Sequence, residues 1–141
     1  MKLVIVGSMA KAWELSEVPY VKDLIRLIIS QEQTDDQVEE FVVGSGESPA
    51  GGVDIWVHEI AAEMGVIFMP FPPKARNWPA YKERDQAMAD WCTKLIRIKS
   101  ARSKTYGSGW TRDRAEEQGK DVMEFIPNGS RGLVGHGTLV L

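Results

Sequence analysis

Cysteine is nearly absent from this chain of 141 residues: Cys92 is the only one. An internal disulfide and a cysteine-rich metal site are thereby excluded. A reducing, cytoplasmic setting is the natural expectation, and no cofactor is implied. Neither sign of charge is in large excess, since 17 Lys and Arg stand against 20 Asp and Glu for a net charge of −3. Nucleic acid is thus an unexpected partner on electrostatic grounds. Long hydrophobic runs are also missing. The apolar opening that ends at Val6 is too short for a signal peptide or a membrane span. Repeats and low-complexity segments are missing as well. What is present is ordinary for one soluble domain with a proper core: 43% hydrophobic and 26% charged residues.

The apolar residues fall into alternating short runs and helical stripes. Leu3 to Val6 is a continuous apolar run, β-branched from Val4 on, that ends at Gly7 and Ser8, as in a parallel strand buried on both faces. Val21, Leu24, Ile25, Ile28 and Ile29 recur at helical spacing, with Pro19 near the helix start. Residues 31–37 read as a loop, Phe41 to Val43 as a second strand, and Gly44 to Gly52 as a flexible loop. Val57, Ile60, Ala61 and Met64 form the inner stripe of a second helix that Gly65 stops. Val66 to Met69 is a third strand, which Pro70, Pro72 and Pro73 keep from extending. A third helix from about Pro79 to Trp91 leads to a fourth strand, Leu95 to Ile98. The stretch from Thr105 to Val122 opens on glycines, continues as a helix to Gly119 and enters a fifth strand, Val122 to Ile126. Five strands alternating with four helices predict an α/β fold: one Rossmann-like, doubly wound domain over 1–127, with a mainly parallel sheet in the order 3-2-1-4-5. The glycine-rich tail, 128–141, fits no further unit and offers an edge strand at Thr138 to Leu141 or a contact between subunits of a homo-oligomer.

In such a sheet the glycine-bearing loops after strands one, two and four open on one rim, the usual ligand crevice. Gly7, Ser8, Gly51, Gly52, Gly107 and Gly109 let backbone approach a ligand, and Ser108 and Thr111 add hydroxyls for a phosphate or a helix cap. Asp54 is either a helix-start carboxylate favoured by the dipole or an acceptor for a ribose hydroxyl or base. Arg84 falls on the apolar stripe of Tyr81, Met88 and Trp91, where a guanidinium needs a partner. That partner is a carboxylate such as Asp54 or Asp85, or an anion in the crevice, unless the side chain snorkels to solvent. Trp110 is placed either to stack on a base or to shield its loop.

These residues also carry a resemblance. Val6-Gly7-Ser8 resembles the first-strand end of the SLOG superfamily, which includes the DNA-processing protein DprA and the lonely-guy phosphoribohydrolases. Gly51-Gly52-Val53-Asp54 resembles its Gly-Xaa-Asp segment. Ser108-Gly109 followed by Thr111, Ala115 and Glu117-Gln118-Gly119 is similar to a DprA segment, with two residues fewer here. Glu83-Arg84-Asp85 with Met88 looks like the Glu-Arg-Lys and Met of the lonely-guy enzymes, whose arginine is catalytic. The chain departs from those enzymes where their glutamate serves N-glycosidic cleavage: counting from Thr111 puts Arg114 there. Asp113 is one residue out, a turn of about 100° round the helix. The match is nearest to small standalone SLOG proteins of bacteria and phages.

The resemblance implies a module that binds a nucleotide or nucleotide-derived small molecule. The glycine loops would hold phosphate, Arg84 would clamp it, and Asp54 or Trp110 would contact sugar or base. A second reading is an enzyme hydrolysing a nucleotide N-glycosidic bond, with Arg84 orienting phosphate and Asp113 or Asp54 stabilising the oxocarbenium-like centre. A third is a single-stranded DNA-binding accessory protein.

Overall fold

Leu3 to Val6 are fully or almost fully buried, and their side chains alternate between two separate cores. Leu3 and Ile5 join one core and Val4 and Val6 the other, so β1 (Lys2–Gly7) is covered on both faces. The computed structural model describes residues 1–35, 40–104, 106–127, 132–133 and 138–140. Among them β1 is followed by α1 (Val18–Asp35), β2 (Val42–Gly46), α2 (Val53–Glu63), β3 (Ile67–Phe71), α3 (Trp78–Trp91), β4 (Lys94–Ile98), α4 (Gly107–Glu117) and β5 (Asp121–Ile126). The five strands are parallel in the order β3-β2-β1-β4-β5. The stripes of α1 and α2 fill the first core, while Met88, Ala89 and Ala115 bring α3 and α4 to the second. The protein is thus an α/β, Rossmann-like domain whose winding reverses between β1 and β4. No helix among the described residues is long and apolar enough to cross a membrane.

Several element ends differ from the sequence expectation, each for a local reason. The polar residues after Ser30 continue α1 to Asp35 instead of forming a loop. Glu32 on that last turn is buried and pairs with Lys94 of β4 at 2.6 Å, so the turn is tied to the sheet. Gly44-Ser45-Gly46 belongs to β2 and not to the loop after it. Glycine is needed there because a Cβ on Gly44 would lie 2.8 Å from the Trp91 ring. Pro70 sits inside β3. Since β3 is the end strand of the sheet and, among the described residues, pairs with β2 alone, a missing N–H is tolerated there. Gly107-Ser108-Gly109 is the first turn of α4, not a loop. In the tail, β7 (Thr138–Val140) pairs parallel with β5, and β6 (Gly132–Leu133) pairs antiparallel with β7. The rest of the tail lies outside the described residues.

The joint between β1 and α2 sets the position of everything beyond the rim. Val53 N donates to Ser8 O at 3.2 Å, which lays the start of α2 across the end of β1. A Cβ on Gly7 would lie 2.3 Å from Ile98 O and 2.7 Å from Val53. Gly52 has φ of 83°, and a Cβ there would lie 2.4 Å from Ser8 O. Gly65 shares the positive φ but has open space around it. Gly52→Ala is therefore expected to cost about 2–6 kcal/mol, the sum of about 1–3 for a backbone conformation (φ 83°, ψ −145°) open almost only to glycine and about 1–3 for the clash. Gly65→Ala should cost only the backbone part, about 1–2 kcal/mol. Urea melts of the two variants test this, and equal losses would place no close contact at Gly52.

Candidate functional site

A cleft of about 200 Å³ lies beyond the C-terminal ends of the strands, at the reversal of the winding. It brings together seven of the residues singled out in the sequence: Gly7, Gly51, Asp54, Arg84, Gly107, Ser108 and Thr111. Ser8, Gly52, Gly109, Trp110 and Asp113 do not line it. Ser8 is a structural junction whose hydroxyl accepts from Ser100 N at 2.9 Å and whose carbonyl accepts from Trp13 Nε1 and Val53 N. Gly52 answers to the backbone of that junction. Gly109 is buried, and a Cβ there would press on Tyr106 at 3.0 Å and on Arg97 at 3.2 Å. Trp110 packs edge-on against Trp78, with ring centroids 6.3 Å apart. Asp113 turns away from the cleft, accepting from Tyr106 Oη and Arg112.

Arg84 is not a bare guanidinium awaiting an anion. Its side chain is 8% exposed, its Nε donates to Asp85 at 2.6 Å, and its Nη1 reaches Phe71 O at 3.5 Å. Gly46 makes the room: a Cβ there would lie 2.5 Å from Arg84 Nη1 and 3.2 Å from Asp54 Oδ2. Arg84 therefore lies between two carboxylates, both of which the sequence had offered as partners. Asp85 was not singled out as a site residue, although position 85 lies four after Tyr81 and three before Met88 on the same stripe. Its carboxyl is pushed up by burial, against the pull of Arg84 and the Thr111 hydroxyl.

Asp54 is the most perturbed group in the cleft. The residue as a whole is half-buried, but its Oδ1 is out of contact with solvent and has no hydrogen-bond partner among the described residues. Burial raises its pKa from 3.8 to about 7; Arg84 opposes the shift, Asp85 adds to it, and the Gly7 N–H opposes it. The cleft thus holds a carboxylic acid that changes charge near neutral pH.

A second buried arginine stands behind α4. Arg97 on β4 is 5% exposed and pairs with Glu124 at 3.0 Å. The two face each other in the parallel ladder, and Arg112 reaches the other carboxylate oxygen of Glu124. Arg97 Nε also donates to Ser108 Oγ at 2.8 Å. Because an arginine N–H can only donate, the Ser108 oxygen is fixed as its acceptor and the hydroxyl proton is left for another partner. Ser108 lines the cleft, so that proton is available beside the first-turn N–H groups of α4, which have no intrahelical acceptor. Sequence reading passed over this pair. Its signal was a charge interrupting each of two otherwise apolar strands.

The folded state binds the Asp54 proton more tightly than the unfolded chain does, because its pKa is raised. The associated stability is complete below about pH 4 and is lost as pH rises through about 7. Asp54→Asn carries no such proton. The stability of the wild type relative to Asp54→Asn is expected to fall by about 4 kcal/mol between pH 4 and pH 8, roughly three units at 1.36 kcal/mol each. Denaturant melts of both proteins across that range provide the measurement, and a pH-independent difference would show Asp54 to be ordinary.

No family model matches the chain and no curated protein is significantly similar to it, so the site is read from its own geometry.

Proposed function

We propose that the protein is a SLOG-type domain that binds a nucleotide or a nucleotide-derived small molecule by its phosphate. The observation that carries the reading is the Ser108 hydroxyl. Arg97 holds its oxygen as an acceptor, which leaves its proton to donate into the cleft next to the start of α4. A helix N-terminus favours an anion through its free N–H groups and its dipole. On the opposite wall Asp85 holds the Arg84 side chain in place, and Arg84 offers N–H donors rather than net charge because two carboxylates flank it. Asp54 then faces the uncharged part of the ligand. Ionised, it accepts from a sugar hydroxyl or a base amine; protonated, it donates to a base nitrogen or carbonyl.

Gly107 provides the test because a Cβ there meets nothing within 4 Å. Gly107→Leu should fill the cleft wall without disturbing the fold, and Ser108→Ala should remove the donor. Thermal melts of the wild type against a panel of nucleotides should reveal stabilisation of about 2.7 kcal/mol when a ligand stands at about 100 times its Kd. Gly107→Leu should abolish that stabilisation, and Ser108→Ala should weaken the affinity about ten- to hundredfold, the range for one charged hydrogen bond. Unchanged stabilisation in both variants would move the site elsewhere.

The titration of Asp54 favours one alternative, hydrolysis of a nucleotide N-glycosidic bond. A carboxylic acid with a pKa near 7 beside an arginine is suited to proton transfer near neutral pH. Asp113 does not share this position, and Arg114 pairs with Glu117 outside the cleft. The binding reading expects no free base from nucleoside monophosphates. Chromatographic detection of base release that disappears in Asp54→Asn would establish the enzyme instead.

A further inference from the structure

Beside the cleft, α3 and α4 present a second feature that phosphate binding does not use. Trp78 and Lys82 lie one turn apart on α3, and Trp110 and Arg114 lie one turn apart on α4. The two indoles meet edge to face. The Lys82 ammonium stands 5.5 Å from the Trp78 centroid and 5.9 Å from that of Trp110. The Arg114 guanidinium lies 4.9 Å over the Trp110 ring and pairs with Glu117 at 2.5 Å, while its Nε is buried with no hydrogen-bond partner among the described residues. Trp78 is 44% exposed, and it is also a wall of the cleft. An aromatic surface with two cations is therefore continuous with the mouth of the site.

The size of the cleft gives this continuity a meaning. About 200 Å³ falls short of the roughly 300–1,000 Å³ typical of pockets that enclose a whole small-molecule ligand. A nucleotide seated by its phosphate at α4 would fill the enclosed part, and a larger ligand can leave over Trp78, an exposed wall of the cleft. What meets it there is a half-exposed indole with the Lys82 ammonium over its ring, a combination that can receive a base and its phosphate. We propose that the ligand is a dinucleotide, with one unit held in the cleft and the second base stacked on Trp78. Trp110 buttresses that indole edge-on, and Lys82 and Arg114 face the phosphate of the second unit.

This inference rests on the nucleotide reading of the cleft, and the experiment separates the two. Affinities would be measured by calorimetry for the ribonucleoside 5′-monophosphates, for the complete set of 5′-phosphorylated linear ribodinucleotides, and for oligonucleotides of increasing length. The best dinucleotide is expected to bind about ten- to hundredfold more tightly than the best mononucleotide, the gain of one stacked base. Trp78→Ala should erase that ratio. Lys82→Ser, an exposed position away from the cleft, should reduce it by several-fold while leaving mononucleotide affinity unchanged. Equal affinities for mono- and dinucleotides would overturn the dinucleotide and leave the cleft reading standing. Binding of neither would overturn both. Affinity that keeps rising with oligonucleotide length would assign the surface to single-stranded nucleic acid and end the proposal.

Discussion

The architecture of the rim depends on one close approach, where the first turn of α2 lies against the end of β1. The hydrogen bond from Val53 N to Ser8 O closes that joint, and Gly7 and Gly52 supply the space for it. A side chain at either glycine would push α2 outward. Asp54 is two residues beyond Gly52, so the same displacement would take its carboxyl away from Arg84 and the Gly7 N–H. The floor of the cleft and its most perturbed acid are thus fixed by backbone packing before any ligand is considered. This is why glycine appears at the joint without touching the cleft in every case: Gly7 serves both purposes, and Gly52 serves the fold alone.

Two buried arginines flank the cleft, and they meet the cost of burial in different ways. Arg97 lies opposite Glu124 in the ladder, with Arg112 and Ser108 completing the set, so its charge is answered by a partner already in register. Arg84 is shared between Asp85, which hydrogen-bonds it, and Asp54, which does not. One guanidinium cannot fully compensate two carboxylates away from water. Burial of Asp54, which Arg84 offsets only in part and Asp85 reinforces, raises its pKa. The first network is a closed structural unit, while the second carries an unmet hydrogen-bonding need into the cleft.

The alternation of buried runs and helical stripes made the doubly wound sheet legible, because each apolar run is local and its period is read within a few residues. Val21, Leu24, Ile25, Ile28 and Ile29 are all buried where their spacing placed them. The element ends were less legible, since they depend on partners distant in sequence. The last turn of α1 is held by Lys94, and the length of β3 follows from its place at the sheet edge, where Pro70 does no harm. At the site, the rim position followed from topology, but the division between cleft and packing residues did not. Nothing within the run from Gly107 to Thr111 distinguishes the open space at Gly107 from the crowding at Gly109. That difference comes from the Tyr106 ring, folded back over Gly109 from just before the run, and from Arg97, a side chain of β4.

The short strand at the end of the chain has a bearing on this chemistry. Glu124, the partner of Arg97, is in register with Thr138 on its other side. Without β7, the strand bearing Glu124 would form the border of the sheet, and water would have an open path along that border to the ion pair. Hydration would loosen the pair, and with it the arginine that dictates which way the Ser108 hydroxyl turns. The three paired residues of β7 thus cover the border of the strand that carries this ion pair.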